Sequence, residues 1–434
     1  MRYQRIDAGL FIRNRKEFSK QMKPGSIAVF VSNDLVPRSA DATYKWRQDP
    51  DLYYLCGVDQ EETFLILFPD APVESWREML FVRETNHHIK VWEGEKLTIA
   101  DAQQVSGIRQ VNWSRQFEAM LHLMMSHAQT VYLNLNEHDR FSETAVEYAS
   151  LRFARSLQKK YPLHNYTRSQ PVLSALRRCK TAWEIEAMQQ AIDITDAAFR
   201  RLLRFVRPGV WEFEIEAELI HEYIRQRGTG HAYEPIIAGG ENACILHYNQ
   251  NNKQCVAGEV LLLDSGAEYG MYNADLSRSI PVSGRFTPRQ KAVYQAVLRV
   301  MKGARELMRP GITLQALNEE AGKMMEKELL QLKLLSKTDI KQQSAKNLAY
   351  KKYFPHGTAH FLGLDVHDVG SRYEKLKAGC VLTCEPGIYI PEEKLGIRLE
   401  NNILVTNGKP RDLMANIPIE VEEIESLMSA NKKK

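Results

Sequence analysis

The tightest constraint on how this chain folds is an echo within its second half. One helix-patterned stretch opens with a capping box at Thr181-Ala182-Trp183-Glu184 and carries apolar residues at Met188, Ile192, Phe199, Leu203 and Val206. It stops at Arg207-Pro208-Gly209, where proline removes a backbone donor and glycine admits a left-handed cap. A second stretch starts at Thr287-Pro288, with proline at the first helical position, and stops at Arg309-Pro310-Gly311. Each tripeptide is followed by a further helical pattern, WEFEIEAELIHEYIRQRG or TLQALNEEAGKMMEKELL. Downstream, AGEVLLLDSGAEYGMY (257–272) lines up with AGCVLTCEPGIYIPEE (378–393), setting Asp264 on Glu385. A unit of helix, turn, helix and acid-bearing hairpin thus occurs twice. Two such units packed face to face bring both hairpins to one pseudo-two-fold axis.

The acids on those hairpins point to chemistry. With a turn near Tyr269-Gly270, Asp264 and Asp275 are equidistant from it and are expected to sit directly opposite each other. Glu385 and Glu400 are similarly placed about the second loop. Opposed residues have Cβ atoms only about 4.5–5.5 Å apart. Carboxylates that close on apolar strands repel and lose solvation unless a cation joins them. A single such acid reads as a cap, a turn residue or an ion-pair partner; four in two symmetric hairpins read as a shared metal centre. Histidine comes from FPHGTAHFLGLDVHD, which holds His356, His360 and His367, while AGGENACILHY places His247 at the matching point of the first unit. Four carboxylates with one imidazole suit a pair of divalent ions: Mn²⁺ first, with Co²⁺, Zn²⁺ and Fe²⁺ as alternatives. A lone structural zinc would call for cysteine, and no cysteine pattern accompanies these residues.

The first third is built differently. SIAVFVSND (26–34), TFLILFPD (63–70), EMLFVRE (78–84) and TVYLNL (130–135) read as strands, with a capped helix from Thr98 and another in FEAMLHLMMSHA. This gives a mixed α/β domain over residues 1–172 and a second domain over 173–434. A length of 434 residues suits two cores. The 58 basic and 54 acidic residues leave a net charge of only +4, which argues against nucleic-acid binding and reads Lys432-Lys433-Lys434 as a solvated tail. No apolar run is long enough to span a bilayer, and MRYQRIDAGLFIRNRKEF lacks the apolar core of a secretory signal. The six cysteines are scattered, with Cys380 and Cys384 reading as buried free thiols rather than a zinc pair. A cytoplasmic, reduced, soluble protein is expected, assembled as a homo-dimer or homo-tetramer.

The ordered set Asp264, Asp275, His360, Glu385 and Glu400, within LLLDSGAEYGMYNADLSRS, HGTAHFLGLDVHD, LTCEPGIYI and GIRLENN, resembles the pita-bread metallopeptidases, the family of methionine aminopeptidase, prolidase and aminopeptidase P. RSADATYKWRQDPDLYYLCGVDQEE is similar to the first domain of aminopeptidase P, which methionine aminopeptidases generally lack. The resemblance implies an α/β (α+β) architecture, with an N-terminal domain followed by a pseudo-symmetric catalytic domain. It implies removal of the residue before a proline at peptide N-termini. Asp264 would chelate one metal and His360 complete the other, Asp275 and Glu400 would bridge both, and Glu385 would bind the second metal beside a shared water. His247 and His367 resemble outer histidines that steady the substrate carbonyl and the tetrahedral intermediate. His356 resembles one near the proline-side pocket, and Arg398 an arginine supporting the acids. Asn401-Asn402 depart from the family, where acids often follow the last ligand. Two other readings share these residues: prolidase, confined to dipeptides, and a metal-free binding module of the same fold.

Overall fold

The computed structural model describes residues 3–138, 140–141, 145–344 and 347–429, so the terminal lysine run lies outside the described residues. The chain divides into two compact units, Arg5–Arg177 and Arg178–Lys434 together with Met1–Gln4. Among the described residues no helix is long and apolar enough to cross a membrane.

The first unit is built on a six-stranded sheet. Its strands are β1 (Ser26–Val31), β2 (Phe64–Leu67), β3 (Glu78–Val82), β4 (Gln110–Trp113), β5 (Thr130–Leu133) and β6 (Asn165–Arg168), in the order β4-β3-β2-β1-β5-β6. β1 and β2 are antiparallel, as are β2 and β3, while β4, β5 and β6 add in parallel. Ile27, Val29, Ile66, Phe81 and Val131 from the sheet pack with Phe117, Leu121 and Leu157 from the covering helices. The four strands expected from β-branched runs are all present. β4 and β6 were not visible in the sequence. They are the two edges of the sheet, and QVNW and NYTR carry little of the apolar patterning that a two-sided strand needs.

The second unit carries the repeat. α1 (Ala182–Phe205) is closed by the reciprocal Thr181–Glu184 capping box, and α2 (Glu212–Arg225) follows the turn at Gly209, whose φ of +90° only glycine adopts without strain. α3 (Pro288–Leu307) starts from the Thr287–Gln290 capping box, and α4 (Leu314–Gln331) follows Gly311 at φ +98°. In the first hairpin, β7 (Ile236–Gly239) flanks β8 (Val260–Ser265), which pairs with β11 (Leu276–Pro281); β9 (Ala267–Tyr269) and β10 (Tyr272–Asn273) form its tip. In the second, β12 (Val381–Cys384) pairs with β15 (Asn401–Leu404), and β13 (Gly387–Ile390) with β14 (Leu395–Arg398).

The return strands of the two hairpins meet across the pseudo-axis. The Glu400 amide donates to the Ser277 carbonyl at 3.1 Å. Two residues either side, the Asp275 amide donates to Asn402 Oδ1 at 3.2 Å and the Arg398 amide donates to Ser279 Oγ at 3.2 Å. The partners run in opposite order along the two strands, as an axis through Ser277 and Glu400 requires. That seam sets Asp275 beside Arg398 and Glu400, more than 100 positions further along the sequence.

Candidate metal centre

The ladder corrects one expectation. Asp264 lies opposite Ser277, not Asp275, which is two residues further along on the same face. The turn is Gly270-Met271 rather than Tyr269-Gly270, with φ of +56° and +64°. Two consecutive positive φ values are what a two-residue type I′ hairpin turn needs. A methionine in that conformation gives no sequence signal, and moving the turn centre by one residue moves every partner by two. The second hairpin keeps the expected register: Cys384 opposes Asn401 and Gly387 opposes Arg398, so Glu385 and Glu400 fall opposite each other between the paired segments.

Asp264 and Asp275 nonetheless converge diagonally on one phenol. Tyr233 Oη lies 2.6 Å from Asp264 Oδ1 and 2.5 Å from Asp275 Oδ1. One hydroxyl proton cannot serve two carboxylates, so the second contact needs either a proton on an acid or a cation beside it. Asp275, His360 and Glu400 each offer a ligand atom, and those atoms all lie within 4.8 Å of one another. His360 Nε2 is 3.4 Å from Asp275 Oδ2 and 3.7 Å from Glu385 Oε1. Its other ring nitrogen, Nδ1, lies 2.9 Å from the Phe361 carbonyl; donating there leaves Nε2 as a neutral ligand facing the acids. The His360 amide donates to Thr383 Oγ1 at 3.0 Å, which fixes the backbone that carries the ring.

Arg398 closes the other side. It pairs with Asp264 Oδ2 and donates to Ser277 Oγ and Tyr389 Oη, each at 2.9 Å. Ser277 Oγ in turn donates to Glu400 Oε2 at 2.8 Å. Tyr389 Oη contacts His356 Nε2 at 2.8 Å, and His356 Nδ1 is 3.7 Å from Glu385 Oε2. The His367 ring stands edge-on to His360 with centroids 4.4 Å apart. His247 lies exposed on the loop that follows the turn Gly240–Cys244. Eight of the nine residues singled out in the sequence are thus joined by contacts, and His247 stands on the loop beyond β7. Tyr233, Tyr389 and Ser277 were missed. Tyr389 carried a usable signal, being four residues from Glu385 along the same strand direction.

The electrostatics are those of a site short of positive charge. Burial pushes Glu400 well above the usual carboxylate range, and Asp275, Glu385 and Asp264 push it further. Burial likewise raises Asp264, with Arg398 opposing, and lifts Glu385 to about 7 against the pull of His360 and Arg398. Burial and the Arg398 charge hold His356 down to about 3, so its ring is neutral at working pH. Three buried carboxylates and the half-buried Glu385 face one guanidinium, and the donor set of oxygens with one imidazole nitrogen fits divalent cations.

This architecture and this site define a class: the chain belongs to metallopeptidase family M24, whose pattern matches residues 186–407. The aminopeptidase P N-terminal domain pattern matches residues 11–132. The Xaa-Pro aminopeptidase of Haemophilus influenzae is 33% identical, covering 96% of this chain and 97% of its own length. That of Escherichia coli is 33% identical, covering 98% of each. The solved structure of Escherichia coli aminopeptidase P with the inhibitor Pro-Leu superposes with a TM-score of 0.88 at 31% identity, covering 99% of this chain and 100% of that one.

Proposed function

We infer that this chain is a metalloaminopeptidase that hydrolyses the bond between an N-terminal residue and a following proline. The observation that carries this reading is the convergence of Asp275, His360 and Glu400, flanked by Asp264 and Glu385, in a chain that matches Xaa-Pro aminopeptidases end to end. Two divalent ions are the occupancy we propose, Mn²⁺ first. Four carboxylates less the Arg398 charge leave a deficit that two dications and one hydroxide neutralise. Asp264 and His360 would each hold one ion, Asp275 and Glu400 would bridge, and Glu385 would complete the second. When bound, such ions lower the pKa of water and polarise a carbonyl.

The chain's own groups do the rest. Glu385, beside the position of the shared water, would accept its proton and deliver it to the departing proline nitrogen. His247 and His367 donate to the oxygen on which charge develops. Neutral His356, held by Tyr389, offers its ring face and edge to the proline side. Replacing His247 by alanine is expected to leave metal content unchanged and to cost roughly 10²–10³-fold in kcat, the value of one oxyanion donor. Metal analysis alongside steady-state kinetics checks this, and metal loss would move His247 into direct coordination.

Proline gives a tertiary amide with a locked ring and no N–H, which clefts relying on that donor reject. A site that grips the carbonyl does not need it. The Pro-Leu inhibitor of the Escherichia coli relative has the form of the product left when Xaa-Pro-Leu loses its first residue, which favours longer peptides over the dipeptides of prolidase. Xaa-Pro-Xaa tripeptides should be turned over at least as well as Xaa-Pro dipeptides, and Xaa-Ala-Xaa markedly more slowly. Cleavage confined to dipeptides would give the reaction to prolidase. Two metals per chain would dispose of the metal-free binding module. A cytoplasmic location, for which six free cysteines are suitable, and a homo-dimer or homo-tetramer complete the proposal.

A further inference from the structure

Six free cysteines are present, and four of them are what a reduced protein would bury or leave idle. Burial pushes the thiols of Cys56 and Cys255 up to about 12, and also raises Cys384 and Cys244. Cys179 differs in position and surroundings. It lies just ahead of the capping box of α1, half-buried, with Cys380 immediately across from it at the start of β12. The two residues form an isolated antiparallel bridge, flanked by the Lys180 amide donating to the Gly379 carbonyl at 2.8 Å. That flanking bond makes them a non-hydrogen-bonded pair, the kind with Cα atoms about 4.5 Å apart and side chains nearest. Such a separation lies inside the range a disulfide spans. The sulfurs are already 3.9 Å apart.

The environment favours attack from Cys179. Its thiol is drawn down to about 6 by the contact with Cys380 and by the charges of Arg178, Lys180 and Lys377, against the opposing effect of burial. Cys380 is fully buried and its thiol is raised, first by Cys179 and then by burial. Cys179 is thus the more exposed sulfur, set among cationic side chains, and Cys380 the buried one behind it, the arrangement of an attacking and a resolving cysteine.

We propose that Cys179 and Cys380 are an oxidisable dithiol, which hydrogen peroxide converts into a disulfide stapling the first repeat of the catalytic unit to the second. The Cys179 thiolate attacks one peroxide oxygen, breaking the O–O bond and giving a sulfenic acid and hydroxide. The Cys380 sulfur then displaces the sulfenic oxygen, forming the S–S bond, and its proton leaves with that oxygen as water. Two thiols lose two electrons, one peroxide gains them, and two waters result. A dithiol reductant reverses the change.

The bond would close a loop of about 200 residues, so its effect on the unfolded chain is large, and Tm is expected to rise by roughly 5 °C or more. The test uses the full-length, metal-loaded enzyme treated with one to a few equivalents of hydrogen peroxide, blocked with N-ethylmaleimide under denaturing conditions and mapped by mass spectrometry. The expected result is a Cys179–Cys380 cross-linked peptide, with Cys56, Cys244, Cys255 and Cys384 recovered as the blocked thiols. Dithiothreitol should reverse both the cross-link and the Tm rise. C179S should abolish both without changing the activity of the reduced enzyme. Three results would overturn the proposal: over-oxidation of Cys179 with Cys380 still free, preferential oxidation of another cysteine, or both thiols recovered intact from peroxide that consumes other residues.

Discussion

Asp275→Asn is expected to lower kcat/KM by roughly 10³-fold or more, because losing a bridging anion removes several kcal/mol of charge stabilisation at the reacting centre. The same substitution should raise the thermal stability of the metal-free protein. Asp275 contributes to the upward displacement of Glu400, Asp264 and Glu385, so a neutral amide at 275 relieves repulsion that the apo site carries. The fold should survive, since Asn402 holds the backbone of residue 275 on both sides, accepting from its amide and donating to its carbonyl at 2.7 Å. Tyr233 can still donate to the amide oxygen. Two readouts therefore move in opposite directions: activity and metal content fall, while Tm in chelator rises. A variant that keeps a tenth of its activity, or that melts lower in chelator, would remove Asp275 from the bridging role.

Much of this centre was legible because backbone periodicity is written in the sequence. The paired RPG stops, the capping boxes at Thr181 and Thr287 and the aligned strands located both hairpins and all four acids. What stayed hidden depends on contacts that periodicity does not encode. The Asp264–Ser277 register follows from a methionine in a left-handed turn, and nothing about Met271 announces it. The seam between the return strands joins Ser277 to Glu400 and Asp275 to Asn402, partners more than 120 residues apart. That seam also gives a use to the Asn-Asn departure. Asn402 both donates to and accepts from the Asp275 backbone, which a carboxylate could not do, and Asn401 accepts from the buried Arg278 at 2.8 Å while donating to Asp412. Tyr233 reaches the acids from a loop with no strand or helix pattern of its own.

The stability gained from metal should grow with pH across the range where the free acids titrate. Glu385 moves from an ordinary value of 4.5 to about 7 in the folded chain, and Glu400 and Asp264 move in the same direction, chiefly through burial. A carboxyl that holds its proton more tightly when folded supports folding fully below its unfolded value, and that support disappears as pH rises through the folded value. For Glu385 alone the loss between about pH 4.5 and 7 is on the order of 3 kcal/mol. His360 acts in the same sense. Burial by itself would lower its pKa, but its bond to Asp275 and the charge of Glu385 raise it overall, so its contribution is also lost as pH climbs. Metal reverses the balance, since ligands bind ions in their deprotonated forms and affinity therefore increases with pH. The difference in Tm between metal-loaded and chelator-treated protein should widen by roughly 10 °C from pH 5 to pH 7.5. Scanning calorimetry or dye-based melting in both conditions measures it. A gap that stays constant over that interval would mean that the four acids are not the groups whose charge the metals neutralise.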